Sequence, residues 1–238
     1  MNFSARSAGG NDRRRNKKWR AGWSVGLFAM YAAVSGCQSA PPQTSWLQRS
    51  YRPDNVFVYP PKLSLNLQRV AVLPIATETT GSDLPEGCAV LTPVLWEQLV
   101  KTKKFEVVAV DAAKLRSRTG QANWTGTETL PADFLAFLRR EYGCDGVLFI
   151  ELTAYRAYAP LAVGWRLKLV DVRSGQIVWA TDELFDAARP GVCRAAQKFE
   201  QPGFVLPFFH DENWVAINSP GRFGRYSAAA LLDTLPDR

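Results

Sequence analysis

The chain has 238 residues, with 29 Lys+Arg against 22 Asp+Glu, one His and four Cys. That length suits one globular domain with appendages, and an apolar share of 47 % excludes a wholly disordered chain, a collagen and a small disulfide scaffold. The formal charge of +7 does not mark a nucleic-acid binder: seven of the bases and one acid fall in residues 1–36, leaving 22 bases against 21 acids in the body.

Residues 13–20 read Arg-Arg-Arg-Asn-Lys-Lys-Trp-Arg, and an uncharged apolar stretch follows from Ala21 to Val34. A basic segment, a short apolar segment and small residues before a break are the parts of a secretory signal. The stretch is shorter than the roughly 20 residues that span a bilayer. It ends in Val34-Ser35-Gly36-Cys37, which resembles the lipobox of bacterial lipoproteins. The resemblance implies cleavage between Gly36 and Cys37 and lipidation of the Cys37 thiol; an uncleaved anchor and an incidental Cys are the alternatives. Two or three acyl chains on one residue hold a protein on a membrane, whereas one binds marginally. Gln38, in place of the Asp that marks inner-membrane retention in such lipoproteins, implies an outer-membrane anchor facing the periplasm.

Residues 37–67 follow, rich in Pro, Ser and Gln: Ala40-Pro41-Pro42, Arg52-Pro53-Asp54, Tyr59-Pro60-Pro61. Proline removes donors and favours extended backbone, so this segment is expected to be a tether, with residues 56–59 as an alternative edge strand. The domain proper is expected over 68–187. Arg69 to Ile75 reads as a buried strand, Thr77 to Gly87 as a loop, and Ala89 to Lys101 as a helix with Pro93 in its first turn. Phe105 to Val110 is a second strand, and Asp111 caps a short helix. After a polar loop, Leu130-Pro131-Ala132-Asp133 opens a helix that Gly143 stops. Val147 to Leu152 is a third strand. Residues 161–187 alternate apolar and polar around the turn Asp171-Val172-Arg173-Ser174-Gly175, which predicts an antiparallel hairpin or meander. Residues 188–238 are expected to be an irregular extension, carrying Phe204, Phe208, Phe209 and Trp214, with a closing helix from Phe223 to Leu235. The fold class is therefore α/β (α+β): a single domain with a mixed sheet of about five strands and helices mainly on one face.

This order, with Arg69-Val70-Ala71-Val72-Leu73-Pro74 at its start, Tyr142-Gly143-Cys144-Asp145-Gly146-Val147-Leu148 before a strand and Leu167 to Trp179 as a hairpin, resembles a group of envelope lipoproteins. The group includes the curli-secretion lipoprotein, the penicillin-binding-protein activator lipoproteins and the amino-terminal domain of TolB. The resemblance covers about residues 68–187 and implies a non-enzymatic periplasmic domain that binds proteins.

Catalytic patterns are sparse. A serine hydrolase needs a His, and the single candidate, His210, stands in no motif. One His and scattered Cys do not make a zinc site, so no metal and no cofactor is expected. Asp182-Glu183 with Asp186, and Asp211-Glu212, are acidic pairs that would serve glycoside hydrolysis if they faced a cleft; solvated strand ends are the bland reading. Tyr155, Arg156 and Tyr158 are the candidate partner-binding residues, with Trp165 and Trp179 either beside them or in the core. Cys88 and Cys193 are the candidate disulfide, and Cys144 reads as a small core residue. The function expected is a membrane-anchored, non-catalytic lipoprotein that binds or regulates an unidentified envelope protein assembly, with no nucleic acid among its partners. The alternatives are a subunit of an outer-membrane secretion channel, which needs strands of about ten residues to cross the bilayer, and an enzyme acting on envelope polymer through Asp182 and Glu183.

Overall fold

The β-branched run after Gln68 is a strand, β2 (Arg69–Val72), and it lies inside a sheet rather than at its rim. The computed structural model describes residues 51–77, 83–200 and 218–238, all within one compact unit from Arg49 to Arg238. Gly36, Cys37, His210, Asp211, Glu212 and the aromatics at 204–214 lie outside the described residues. The other strands are β1 (Val56–Val58), β3 (Glu106–Ala109), β4 (Gly146–Arg156), β5 (Ala162–Asp171) and β6 (Ile177–Asp186). Their order across the sheet is β1-β6-β5-β4-β2-β3. β2 pairs in parallel with β3 and β4, and the remaining pairs are antiparallel. The architecture is thus a single mixed α/β domain with six strands, the sixth being β1.

β1 comes from the segment expected to be a tether, where the edge-strand alternative applies. Further into that segment Leu63 and Leu67 are buried in the core, and the Leu63 N–H donates to the carbonyl of Asp237. The fold therefore begins well before residue 68.

Five helices occur among the described residues: α1 (Leu84–Lys101), α2 (Ala112–Thr119), α3 (Phe134–Tyr142), α4 (Pro190–Glu200) and α5 (Pro220–Leu232). α1 starts five residues ahead of Ala89, so Pro85 occupies the first turn and Pro93 stands inside the helix. The carbonyl that loses its partner to Pro93 belongs to Ala89, an exposed residue on the solvent side of the helix. Asp111 caps α2 by accepting from the N–H groups of Ala113 and Lys114 at 2.7 and 2.9 Å. Gly143 closes α3 at φ +61°, in the left-handed region. Asp133 stands at the N-cap of α3 but makes no cap bond; it pairs with Arg118 at 3.0 Å. α4 replaces expected irregular chain. Its signals are Pro190 at the start and Val192 and Ala196 buried four residues apart.

Both faces of the sheet are covered, which corrects the expectation of helices mainly on one. Leu148, Ile150 and Leu152 of β4 and Trp165 and Leu167 of β5 share a core with Leu91, Leu95 and Leu99 of α1 and Phe223 and Leu231 of α5. On the opposite face Ala71, Val147 and Phe149 pack with Leu115 of α2 and with Phe134, Phe137 and Leu138 of α3. Handedness explains the split. The chain moves from β2 outward to β3, then back past β2 to β4, and two right-handed crossovers in opposite directions must use opposite faces. The two fully buried Trp residues tie the carboxy-terminal helix region to the sheet: Trp165 Nε1 donates to Ser227 Oγ at 2.9 Å, and Trp179 Nε1 to Thr234 Oγ1 at 3.0 Å.

Candidate partner-binding surfaces

β4 and β5 close at the pair Arg156↔Ala162, and residues 157–161 form the tip between them. Arg156 braces this tip from within. Its Nε donates to the carbonyl of Pro160, and its guanidinium pairs with Asp186 on β6 at 2.9 Å. Leu161 is buried beneath, and its carbonyl accepts the N–H of Ala187. Tyr158 projects from this fixed loop with 79 % of its surface exposed. An aromatic held outward at that exposure adds little to the fold and is available to a partner.

Tyr155 does not join it, against the sequence expectation. It is 8 % exposed and lies in the core. The cause is an irregularity in register between Leu152 and Ala154. Leu148, Ile150 and Leu152 face α1, so strict alternation would put Tyr155 on the other side; the shift returns it to α1. There it packs on Gly87, where a Cβ would stand 2.6 Å from Tyr155 Cγ, so only glycine fits. Burial, then Glu86 and Asp83, raise its hydroxyl above the ordinary tyrosine range. Trp165 and Trp179 take the core alternative.

The acidic pair separates. Consecutive strand residues point to opposite faces, and Asp182 and Glu183 do so. Asp182 is the end of a row across three strands. Arg166 Nε donates to Asp182 at 2.9 Å, and Arg166 Nη1 contacts both Glu151 oxygens at 3.1 Å. Glu151 is 1 % exposed. Glu183 lies on the α5 side, 9 % exposed, and accepts from the Tyr51 hydroxyl at 2.6 Å. Tyr51 and Tyr226 both stack edge-on to Phe185, at 5.5 and 5.7 Å. Burial first, and Glu183 second, raise the hydroxyls of both tyrosines. Asp186 is held by Arg156. These carboxylates face no common cleft, so the reading of Asp182 and Glu183 as an acid–base pair on a polymer is overturned by strand parity.

Cys88, Cys144 and Cys193 are free thiols in this structure, so the bridge expected between Cys88 and Cys193 is not formed. Burial pushes the Cys88 and Cys144 thiols up, away from the reactive thiolate. Among the described residues no group of three or more His, Cys, Asp or Glu is arranged to hold a metal.

One feature escaped sequence reasoning. An apolar cavity of about 210 Å³ opens beside the carboxyl ends of β2 and β3, lined by Pro74, Ile75, Thr92, Trp96, Leu99, Ala109 and Val110 among others. β2 is the point where the strand order reverses, and open α/β sheets place binding crevices at such points. The sequence marks both parallel strands but not their order, which alone locates the crevice.

No protein-family model and no curated protein matches the sequence. Solved structures do. The chain is similar to lipoprotein GNA1162 from Neisseria meningitidis, at 22 % identity and a TM-score of 0.35 over 50 % of this chain and 79 % of that one. It is similar to PelC, crystallised as a dodecamer, from Paraburkholderia phytofirmans, at 17 % identity and 0.37 over 77 % and 96 %. It is similar to the carboxy-terminal domain of LpoB from Escherichia coli, at 20 % identity and 0.34 over 50 % and 82 %. One of these three neighbours, GNA1162, is named as a lipoprotein. No helix among the described residues is long and apolar enough to cross a membrane.

Proposed function

We propose that this chain is a lipoprotein anchored to the outer membrane through Cys37, and that its α/β domain binds and regulates an envelope protein assembly without catalysis. The observation that carries this reading is the β4–β5 tip, where internal bonds hold Arg156 and leave Tyr158 bare. The signal segment and the Val34-Ser35-Gly36-Cys37 run support the anchor. The engagement of Glu151, Asp182, Glu183 and Asp186 in internal pairs and bonds supports a non-catalytic role. The lengths of β4, β5 and β6 would suit a bilayer, but their side chains fill the domain's own core on both faces, which counts against the secretion-channel alternative.

Two experiments test the reading. Cys37→Ser should abolish incorporation of labelled palmitate and leave the uncleaved precursor on a gel; palmitate labelling that persists in the variant refutes the anchor. A photoreactive benzoylphenylalanine in place of Tyr158 should give a discrete cross-linked adduct in cells, and the same group in place of the equally bare Leu65 should not. Equal yields at the two positions would remove the tip as the binding surface.

A further inference from the structure

β3 ends the sheet, and its outer edge has no partner strand among the described residues. The N–H groups of Glu106 and Val110 donate to the carbonyls of Gln68 and Val72 on β2. In a parallel ladder alternate residues serve one neighbour, so Val107 and Ala109 turn their N–H and C=O groups outward. The apolar cavity lies at the carboxyl end of this same edge and takes Ala109 and Val110 into its wall. Its 210 Å³ is below the ~300–1,000 Å³ of small-molecule sites and suits one large side chain. The lining offers that side chain no polar grip: the Thr92 hydroxyl is already donated to the carbonyl of Cys88 at 2.6 Å.

The amino-terminal end of the edge carries a charge. Lys101 and Lys104 are paired with Glu97 and Asp237. Lys103, turned outward at φ +53°, is exposed and has no ion pair among the described residues. Lys103 stands three residues before β3, in the turn that follows α1, at the end of the edge opposite Ala109 and Val110.

We infer that β3 is a receptor edge for strand addition: an extended segment of a partner protein pairs with Val107 and Ala109, seats one large aliphatic or aromatic side chain among Trp96, Leu99 and Ile75, and sets an acidic residue toward the other end of the edge, against Lys103. Main-chain bonds supply affinity and the pocket supplies selectivity. This surface is separate from the β4–β5 tip, and its success or failure is independent of the role given to Tyr158.

The test uses the purified full chain in mild detergent and fluorescently labelled, acetylated and amidated peptides of sequence DTVTVTLT and its reverse, TLTVTVTD. One order should bind in fluorescence anisotropy, because the order of acid and Leu selects parallel or antiparallel addition. N-methylation of the peptide amides on one edge should weaken that binding more than tenfold, and N-methylation on the other edge less than threefold. Lys103→Glu should weaken it two- to fivefold, with no effect on a peptide whose Asp is replaced by Asn. Val107→Pro should abolish it, since an outward N–H on an edge strand is the place where proline is tolerated; the methylated peptides carry the test if that variant does not fold. Tyr158→Ala should leave binding unchanged. The inference fails if neither order binds at ~1 mM, or if the two methylation patterns act alike. It also fails if sedimentation shows self-association that Val107→Pro removes, for then the edge takes a second copy of this chain.

Discussion

Arg166→Met offers the sharpest check on the row of charges across the meander. The substitution keeps much of the aliphatic stem and removes the guanidinium that contacts both Glu151 oxygens at 3.1 Å. Glu151 is 1 % exposed, so its carboxylate is shut off from bulk solvent. Removing one member of a buried pair costs about 3–5 kcal/mol; because the Arg166 side chain is 29 % exposed, the lower end applies, about 3 kcal/mol. Asp182→Asn removes only the outer bond, from a carboxylate 46 % exposed, and should cost no more than ~1 kcal/mol. Replacing Glu151 by Leu in the Arg166→Met background should recover most of the loss, since a buried pair exchanged for apolar groups is often neutral. The assay is urea unfolding followed by the fluorescence of the buried Trp165 and Trp179. With a slope of about 2 kcal/mol/M, Arg166→Met should lower the midpoint by roughly 1.5 M and Asp182→Asn by under 0.5 M. If the two variants lose the same amount, Glu151 is not the buried anchor of the row, and the structural account of these carboxylates falls.

Other expectations follow from single contacts. At Gly224 an added Cβ would lie 2.2 Å from Leu91 Cδ2, so Gly224→Ala should destabilise by about 1–3 kcal/mol through overpacking of α5 on α1; Gly221→Ala in the same helix meets nothing within 4 Å and should be neutral or stabilising by up to about 1 kcal/mol. Tyr51→Phe strips the bond to the Glu183 carboxylate and should cost roughly 1–3 kcal/mol in a thermal or urea melt. Hydrogen bonds from the N–H groups of Lys114 and Ala113 hold the Asp111 carboxyl below its ordinary value. Its folded-state value is therefore depressed, so its contribution is present above the unfolded value near ~3.9 and is lost as pH falls through the lower folded value. Asp111→Asn should flatten the pH dependence of the urea midpoint below about pH 4, and an unchanged slope there would contradict the cap.

Much of the fold is legible in the chain because local chemistry and tertiary context agree. The β-branched run at 69–72, the Asp111 cap, the Gly143 stop and the alternation through 163–185 each carry their own signal. The failures have physical causes. Val56–Val58 takes the edge-strand alternative through its pairing with β6, and three residues between prolines carry no periodicity to choose it over a tether. Pro93 hides the true start of α1 because an interior proline is costly, so local chemistry assigns it to a first turn that lies a full turn further back. Tyr155 is carried inward by a register shift that no residue type announces, and the site alternative for Asp182-Glu183 fails because neighbours in sequence point to opposite faces of a strand. The crevice beside β2 depends on strand order, a property of pairing between distant segments.

The amino-terminal arm also changes what an anchored domain can reach. Tyr51 is fixed to Glu183 and Phe185 at the carboxyl end of β6, where Asp186 meets Arg156, so the chain enters the domain at the same end of the sheet as the β4–β5 tip. With Cys37 as the anchor, thirteen residues (38–50) separate it from Tyr51 rather than the thirty expected from composition. Covalent geometry limits a stretch of that length to a reach of ~48 Å. Tyr158 is then confined to a shell near the membrane surface. A partner engaged through the tip must present its site within that shell, whereas the β3 edge lies across the full width of the sheet from β1, and a partner there meets a different side of the domain. The sheet order thus allows two surfaces to be used together, one at the end of the sheet where Tyr51 enters and one on the opposite edge.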